Sequence, residues 1–147
     1  MKRIALALGS MLIVAQAGCS NNTPVPLTPD QQEMICKATV AALMGTDHLI
    51  IDSSWVIDTK ELLPYVQTSY IRKNDGTKWM NDCKFDQKNG MVIWRGVDID
   101  YPGSGPGRWR DGEYDSEIYY RLNDNTVEIT ERYTDGSSGA KDFFIFN

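Results

Sequence analysis

Cysteine and histidine, which readily do covalent and acid–base chemistry near neutral pH, are few in this 147-residue chain: three cysteines and a single histidine. His48 could act as a general base, but a catalytic triad also needs a positioned nucleophile and an orienting acid. Asp52, Ser53 and Ser54 are near His48 in sequence only, in a predicted turn. The residue types therefore predict no catalytic centre and leave the cysteines as the most informative chemistry.

Cys19 comes directly after a segment that has the parts of an export signal. Lys2 and Arg3 form a short positive start, residues 4–15 form an apolar run, and Ala15-Gln16-Ala17-Gly18 leads into the cysteine. A membrane-spanning helix needs about 20 apolar residues, which is more than this run supplies. We expect residues 1–19 to be a signal peptide that directs export.

The segment Ala17-Gly18-Cys19-Ser20 resembles the processing site of bacterial lipoproteins, in which the cysteine is acylated and becomes the N-terminus. Gln16 departs from that pattern, and Ala15-Gln16-Ala17 also fits the small-x-small site of ordinary secretion. Ser20, in place of an aspartate, resembles lipoproteins that are sent on to the outer membrane. The resemblance implies a multiply acylated Cys19, which anchors stably, and a location in the cell envelope, on the periplasmic side of the outer membrane.

The rest of the chain has the size of a single domain. Residues 20–29 contain too little apolar material to pack and predict an extended tether, so that the domain proper covers residues 30–147. The chain carries a net charge of −5, and it has no basic run. Nucleic-acid binding draws most of its affinity from neutralised phosphates, so this class of partner is excluded.

The domain is predicted to begin with a helix. Thr28 is a hydroxyl cap, Pro29 suits the first helical position, and apolar residues then recur at spacings of three and four as far as Met44. Gly45 is well placed to end the helix in a left-handed conformation.

Everything after Gly45 has the pattern of short strands joined by tight turns rich in Gly and Asn. The strand-like runs are Leu49–Ile51, Tyr65–Lys73, Lys78–Phe85, Met91–Val97, Glu117–Leu122, Thr126–Tyr133 and Lys141–Phe146. Neighbouring strands should pair antiparallel. The predicted fold class is α+β, with one N-terminal helix packed on a twisted antiparallel meander of about six strands; a curl towards a barrel is the alternative shape.

Cys36 and Cys83 form an even pair once Cys19 is acylated, and an exported domain is exposed to oxidising conditions. Cys36 lies on the apolar face of the helix, and Cys83 shares one face of a strand with Trp79 and Phe85. We expect a disulfide that joins the helix to the sheet. Two separate buried thiols are the alternative.

Metal binding is not favoured by the pattern of acidic residues. Structural zinc wants four Cys or His ligands, and too few candidates remain here. Asp111, Glu113, Asp115 and Glu117 alternate and could gather oxygens around calcium, but the chain has no twelve-residue calcium-loop pattern. A solvated strand face explains the alternation more simply, and no metal or other cofactor is predicted.

Residues 101–112 form the stretch that most resembles a recognition loop. Glycines and prolines predict a long exposed loop, and Arg108 and Arg110 flank the large aromatic Trp109. Trp and Arg are typical of binding hot spots, so Tyr101, Arg108, Trp109 and Arg110 are the candidate partner-binding residues. The alternative is that Trp109 packs under the sheet while the two arginines pair with nearby acids.

Most of the chain from Cys36 to Phe143 resembles a group of small, uncharacterised exported proteins of Gram-negative bacteria. The segments that carry the resemblance are Ile35-Cys36-Lys37-Ala38, Asp75-Gly76-Thr77-Lys78-Trp79, Val92-Ile93-Trp94, Gly107-Arg108-Trp109-Arg110 and Ile129-Thr130-Glu131-Arg132. The chain departs from the group after Met44-Gly45, where Thr46-Asp47-His48 replaces an Arg-Asp-Pro. The resemblance implies the fold and the compartment, and it carries over no catalytic residue.

The sequence therefore predicts a lipid-anchored envelope protein without catalytic activity, which binds an envelope protein or glycan through the loop around Trp109. One alternative is a carboxylate-dependent hydrolase of cell-wall material, which would need an acidic pair facing a cleft. A second alternative is an inhibitor of a foreign hydrolase such as lysozyme.

Overall fold

A computed structural model describes residues 24–57, 60 and 63–147, and within them the chain forms one helix packed on a seven-stranded antiparallel sheet. Helix α1 spans Pro29–Met44, and a short 3-10 turn spans His48–Ile50. The strands are β1 Asp52–Val56, β2 Tyr65–Ile71, β3 Lys78–Asp86, β4 Met91–Val97, β5 Glu117–Asn123, β6 Thr126–Arg132 and β7 Ser138–Ile145. They lie in the sheet in chain order, so the predicted α+β class and meander are confirmed.

Helix α1 begins and ends at the residues that the sequence indicates. The Thr28 hydroxyl accepts a hydrogen bond from the Gln31 N–H at 3.3 Å, and the Gln31 side chain accepts one from the Thr28 N–H at 2.9 Å. This reciprocal pair satisfies two backbone donors that the first helical turn leaves free. Gly45 closes the helix with φ of 64°, a conformation that glycine adopts without steric cost.

The core lies between α1 and the face of the sheet that the helix covers. Ile35, Val40, Val66 and Val127 are completely buried there. Cys36 on α1 and Cys83 on β3 are also completely buried and are joined by a disulfide, as predicted. The bridge ties the two layers together at the centre of the core.

The strand count and the shape of the sheet differ from the prediction. There are seven strands among the described residues, where about six were expected, and the sheet does not close into a barrel. The predicted strand Leu49–Ile51 is instead largely the 3-10 turn, because the Asp47 side chain accepts the Leu49 N–H at 2.9 Å and caps it. The first strand comes directly afterwards, where a turn was predicted, and Asp52 to Val56 pair with β2.

The predicted tether reaches the described part of the chain only from residue 24 onwards. Its end is fixed to the domain, since the Leu27 N–H donates to the Gln87 side chain at 2.8 Å and the Leu27 side chain packs against the core. The signal peptide and Cys19 lie outside the described residues. Within residues 24–57, 60 and 63–147, no helix has both the length and the apolar character needed to cross a membrane.

Candidate partner-binding loop

The long loop, defined here as residues 98–116 between β4 and β5, is held along its length by the sheet. Strand β4 pairs with β5 only at Met91 and Val92, which leaves the rest of that β4 edge without a strand. The loop takes this place: the Gly107 N–H donates to the Gly96 carbonyl at 2.9 Å, and the Arg110 N–H donates to the Trp94 carbonyl at 2.8 Å. The loop is therefore a structured continuation of the sheet.

Asp98 and Gly105 form a narrow neck below the tip of the long loop, which is residues 99–104. Asp98 has φ of 54°, an uncommon backbone conformation for a residue with a side chain. Its N–H donates to the Gly105 carbonyl at 2.9 Å, and its carboxylate accepts the Gly105 N–H at 2.7 Å. Beyond this neck, Ile99 and Tyr101 are 61% and 65% exposed. The tip thus presents two large apolar side chains to solvent from a fixed base.

Gly96 allows the tip to lie close to β4. A Cβ atom at this position would be 2.4 Å from the Ile99 Cγ2 atom, which is closer than two carbon atoms can approach. Only glycine accommodates Ile99 here without moving its side chain.

Trp109 does not project freely from the loop but lies on the outer face of the sheet, which is the face opposite α1. The Arg95 guanidinium lies 4.1 Å and the Lys84 ammonium 4.6 Å from the centre of its ring. The Tyr65 ring meets it edge-on, with 6.2 Å between the ring centres. The Trp109 side chain is half-buried. Contacts of this kind stabilise the position of a large aromatic ring, as in the packing alternative considered from sequence.

The Arg95 side chain that supports Trp109 belongs to a buried ion pair. The Arg95 Nε donates to the Asp82 carboxylate at 2.8 Å, and the two residues are 6% and 1% exposed. The Gln67 amide donates to the same carboxylate at 3.1 Å. A buried charge needs such partners. They hold the Arg95 side chain in the sheet, in contact with the Trp109 ring.

The two arginines that flank Trp109 pair with one acid of the same loop. Arg108 binds both oxygens of Asp115, at 2.6 and 2.8 Å, and Arg110 lies 3.6 Å from one of them. The Arg108 hydrogen bonds, helped by the Gly112 N–H, hold the pKa of the Asp115 carboxyl well below its usual range. This bidentate contact fixes residues 108–115 of the long loop.

The four predicted partner-binding residues are therefore separated by the structure. Arg108, Trp109 and Arg110 make contacts within the domain, although both arginines keep part of their surface in solvent. Tyr101 alone is directed to solvent with no side-chain partner among the described residues. Of the two aromatic candidates, Tyr101 at the tip is thus the exposed one, and Trp109 is half-buried.

A cavity of about 190 Å³ adjoins the tip and was not found from sequence. Its lining residues come from the β2–β3 turn, β3, β4 and the long loop: Arg72, Thr77, Lys78, Trp79, Met80, Val97, Asp98 and Ile99. Trp79 forms its aromatic wall and is stacked by the Arg72 guanidinium at 4.9 Å. Arg72 in turn pairs with Asp75. Alternation along the strand predicted that Trp79 shares the inner face with Cys83. The position of the β2–β3 hairpin beside the long loop could not be predicted from the sequence.

We use the name tip site for Ile99, Tyr101 and this adjoining cavity. A volume of about 190 Å³ is smaller than the 300–1,000 Å³ or so of pockets that enclose a whole ligand. It fits one apolar side chain or one ring. The tip site can therefore contribute to a surface contact but does not enclose a substrate.

The other residues considered for chemistry have structural contacts. His48 Nε2 lies 2.9 Å from the Ile145 carbonyl oxygen, and its ring meets those of Phe144 and Phe146 edge-on. Within the described ranges, no three His, Cys, Asp or Glu side chains are grouped so as to hold a metal ion. Asp115 is engaged by arginines and Glu117 by Arg132 and Tyr119.

The fold and the site define a small α+β domain with one ordered, partly exposed surface loop. Comparison with protein-family models, curated proteins and solved structures found no match. The candidate site consequently rests on its own geometry.

Proposed function

We propose that this chain is a lipid-anchored binding module of the bacterial cell envelope, without catalytic activity, which holds an envelope protein or glycan at the tip site. The observation that carries the proposal is the exposure of Ile99 and Tyr101 beyond a fixed neck and beside the cavity lined by Trp79. Exposed apolar side chains on an ordered base are typical of recognition surfaces, and a preformed loop loses little conformational entropy on binding.

The anchoring part of the proposal is supported by the sequence around Cys19 and by the cysteine count. The disulfide Cys36–Cys83 suits an oxidising compartment, and its formation leaves Cys19 as the cysteine available for acylation. Acyl chains on Cys19 would hold the domain at the periplasmic side of the outer membrane. Intact mass of the membrane-bound protein tests this part, since a free N-terminal Gly18 would contradict it.

A hydrolase is a weaker candidate function. Two-carboxylate catalysis needs a pair of acids on either side of the bond that is broken. The tip cavity contains one carboxylate, Asp98, and this accepts the Gly105 N–H.

The inhibitor hypothesis differs only in the partner, because a rigid tip with exposed side chains could also enter the cleft of a foreign enzyme. Assay against lysozymes separates it from the main proposal.

The test of the tip site is photo-crosslinking in the native envelope. A photoreactive amino acid replaces Tyr101 in the full chain, and a second protein carries it at Tyr114, which lies on the same loop and is 87% exposed. We expect Tyr101 to yield one defined adduct, identified by mass spectrometry, and Tyr114 to yield none. Adducts from Tyr114 alone, or from neither position, would reject the tip site as the place of binding.

A further inference from the structure

The two edge strands of the sheet differ in how they are protected. An unpaired edge can accept a strand from another chain, and proteins usually prevent this with short strands or with cover. Strand β1 has five residues, and two of its side chains are held by α1 through Ser53 to Glu33 and Trp55 to Gln32. Strand β7 has eight residues, and Phe143 and Ile145 are 63% and 60% exposed. Among the residues that the structure describes, β7 is therefore the open edge.

The hydrogen-bond pattern shows which backbone groups of β7 are free to pair. The Phe146 N–H donates to the Asn125 carbonyl at 2.8 Å, and the register continues with Thr126 opposite Ile145 and Val127 opposite Phe144. Because hydrogen-bonded and non-bonded pairs alternate along antiparallel strands, residues 141, 143 and 145 direct their N–H and C=O groups away from β6. His48 occupies the carbonyl of Ile145, so the ladder open to a partner ends at Phe143.

The outer face beside this edge carries more cations than carboxylates, although two of the cations are paired. Lys141 Nζ lies 3.0 Å from Glu128 Oε1, and Arg132 Nη1 lies 3.7 Å from Glu117 Oε2. A depression of about 260 Å³ next to β7 is lined by three cations and a single carboxylate, namely Arg121, Arg132, Lys141 and Glu128, together with neutral residues. This is notable in a chain whose net charge is −5. Lys141 and Phe143 share the outer face with it, since side chains alternate along a strand. Lys141 keeps 55% of its side chain in solvent beside Glu128, so a strand added to β7 would meet one positive and one apolar position.

We propose that β7 accepts an extended segment of a partner protein as an eighth, antiparallel strand of the sheet. The partner segment presents an apolar side chain opposite Phe143 and, two residues further along, an acidic side chain opposite Lys141. Main-chain hydrogen bonds supply the attachment, and this pair of side chains supplies the selectivity. The surface is separate from the tip site, so the proposal does not depend on the proposed function.

A second copy of the chain is a poorer occupant of the same edge. Two identical antiparallel strands are related by an axis that passes through one residue position. Centring the pair on Lys141 or Asp142 sets like charges opposite each other, which is destabilising. Centring it on Phe143 or Phe144 requires the Ile145 carbonyl that His48 already engages.

The experiment uses capped, ¹⁹F-labelled peptides of threonines that carry one valine and, two places later, either glutamate or lysine. Binding to the full domain is followed by NMR. We expect the glutamate peptide to shift the amides of Lys141 and Phe143 and to bind about fivefold more tightly than the lysine peptide. Lys141→Glu should reverse this order, and N-methylation of the peptide backbone should abolish binding while the protein stays unchanged.

Three results would overturn the proposal: equal affinity of the two peptides, binding that survives N-methylation, or no binding of the glutamate peptide at millimolar concentration. If Lys141→Glu does not fold, Lys141→Gln should still bring the two affinities together, and the N-methylated peptide keeps the test decisive with the natural chain. Loss of crosslinking at Tyr101 would not bear on this outcome, because that residue belongs to the tip site.

Discussion

Trp109 shows at the scale of one residue that composition alone does not tell a binding residue from a packed one. An aromatic ring between two arginines suits a hot spot, but the same ring can be stacked by cations of its own domain. Here the cations are Arg95 and Lys84, which reach it from β4 and β3. The spacing of Arg108 and Arg110 around the tryptophan could not indicate that Asp115 binds both of them, because that contact depends on the path of the loop.

We predict that Trp109→Ala destabilises the domain by about 2 kcal/mol, roughly half the cost of removing a fully buried aromatic side chain, because the ring is half-buried. Tyr101→Ala is the matched control and should stay within about 0.5 kcal/mol of the natural chain, since its side chain is exposed. Urea unfolding followed by circular dichroism measures both. A stable Trp109→Ala protein that had lost a captured partner would instead favour recognition by the tryptophan.

Asp115 should make the long loop sensitive to acid. Its folded pKa is lowered, chiefly by the Arg108 hydrogen bonds, and lies below the value of about 3.9 expected in an unfolded chain. The charged carboxylate therefore stabilises the loop above about pH 4, and this contribution is lost as the pH falls through the folded pKa. We expect hydrogen exchange at the Arg110 amide, which donates to the Trp94 carbonyl, to show increasing opening of the loop over that range.

The matched variants for this prediction are Asp115→Asn and Asp135→Asn. Asp115→Asn should open the loop already at neutral pH and remove most of the acid dependence. The pKa of Asp135 is also lowered, by hydrogen bonds from Ser137, but this residue lies in the β6–β7 turn. Asp135→Asn should leave the Arg110 amide as it is in the natural chain. Identical acid profiles for all three proteins would show that Asp115 does not hold the loop.

At the scale of elements, the sequence predicted those parts of the fold that depend on local patterns. Thr28, Pro29 and Gly45 mark the helix ends directly, and alternation along the strands placed Cys83 facing the core. The prediction from local patterns was wrong for β1, because its polar residues Asp52, Ser53 and Ser54 are typical of a turn. These residues form a strand because β2 pairs with them and α1 contacts the Ser53 side chain. Partners so distant in sequence cannot be predicted from a short segment.

The disulfide between α1 and β3 should contribute strongly to stability. Its cysteines are separated by 47 residues, for which the loop-closure entropy of the unfolded chain gives about 4 kcal/mol. We predict that replacing Cys36 and Cys83 by alanine lowers the free energy of unfolding by about this amount, measured by urea titration. Reductant should have little effect on the folded protein, because both sulfur atoms are buried. A double variant as stable as the natural chain would contradict the structural role of the bridge.

At the scale of the whole molecule, the sheet has two faces that are covered differently. Helix α1 packs across one face and contacts β1, β2, β3, β5, β6 and β7. The long loop covers part of the other face, where Trp109 meets Tyr65, Lys84 and Arg95 on β2, β3 and β4. In the described part of the chain this loop does not extend to the outer face of β5 to β7, where Phe143 and Ile145 on the β7 edge are exposed.

The two edge strands, β1 and β7, do not pair with each other. The 3-10 turn connects them across the gap, which we call the seam. The turn leads directly into β1, and His48 at its start contacts β7 through the Ile145 carbonyl and the Phe144 and Phe146 rings. Because a carbonyl oxygen only accepts hydrogen bonds, Nε2 carries the proton in this contact. His48 therefore restrains the end of β7 against the rest of the fold.

We predict that His48→Ala loosens the end of β7 locally. One hydrogen bond and two edge-on ring contacts are lost, so hydrogen exchange of the Phe144 and Phe146 amides should rise about tenfold. His48→Gln can restore the donor but not the rings and should show a smaller rise. Amides of α1 serve as the internal reference and should not change, because the disulfide and the core still hold the helix. A uniform rise across the domain would mean that His48 supports global stability, and unchanged exchange at Phe146 would mean that the seam is closed by other contacts.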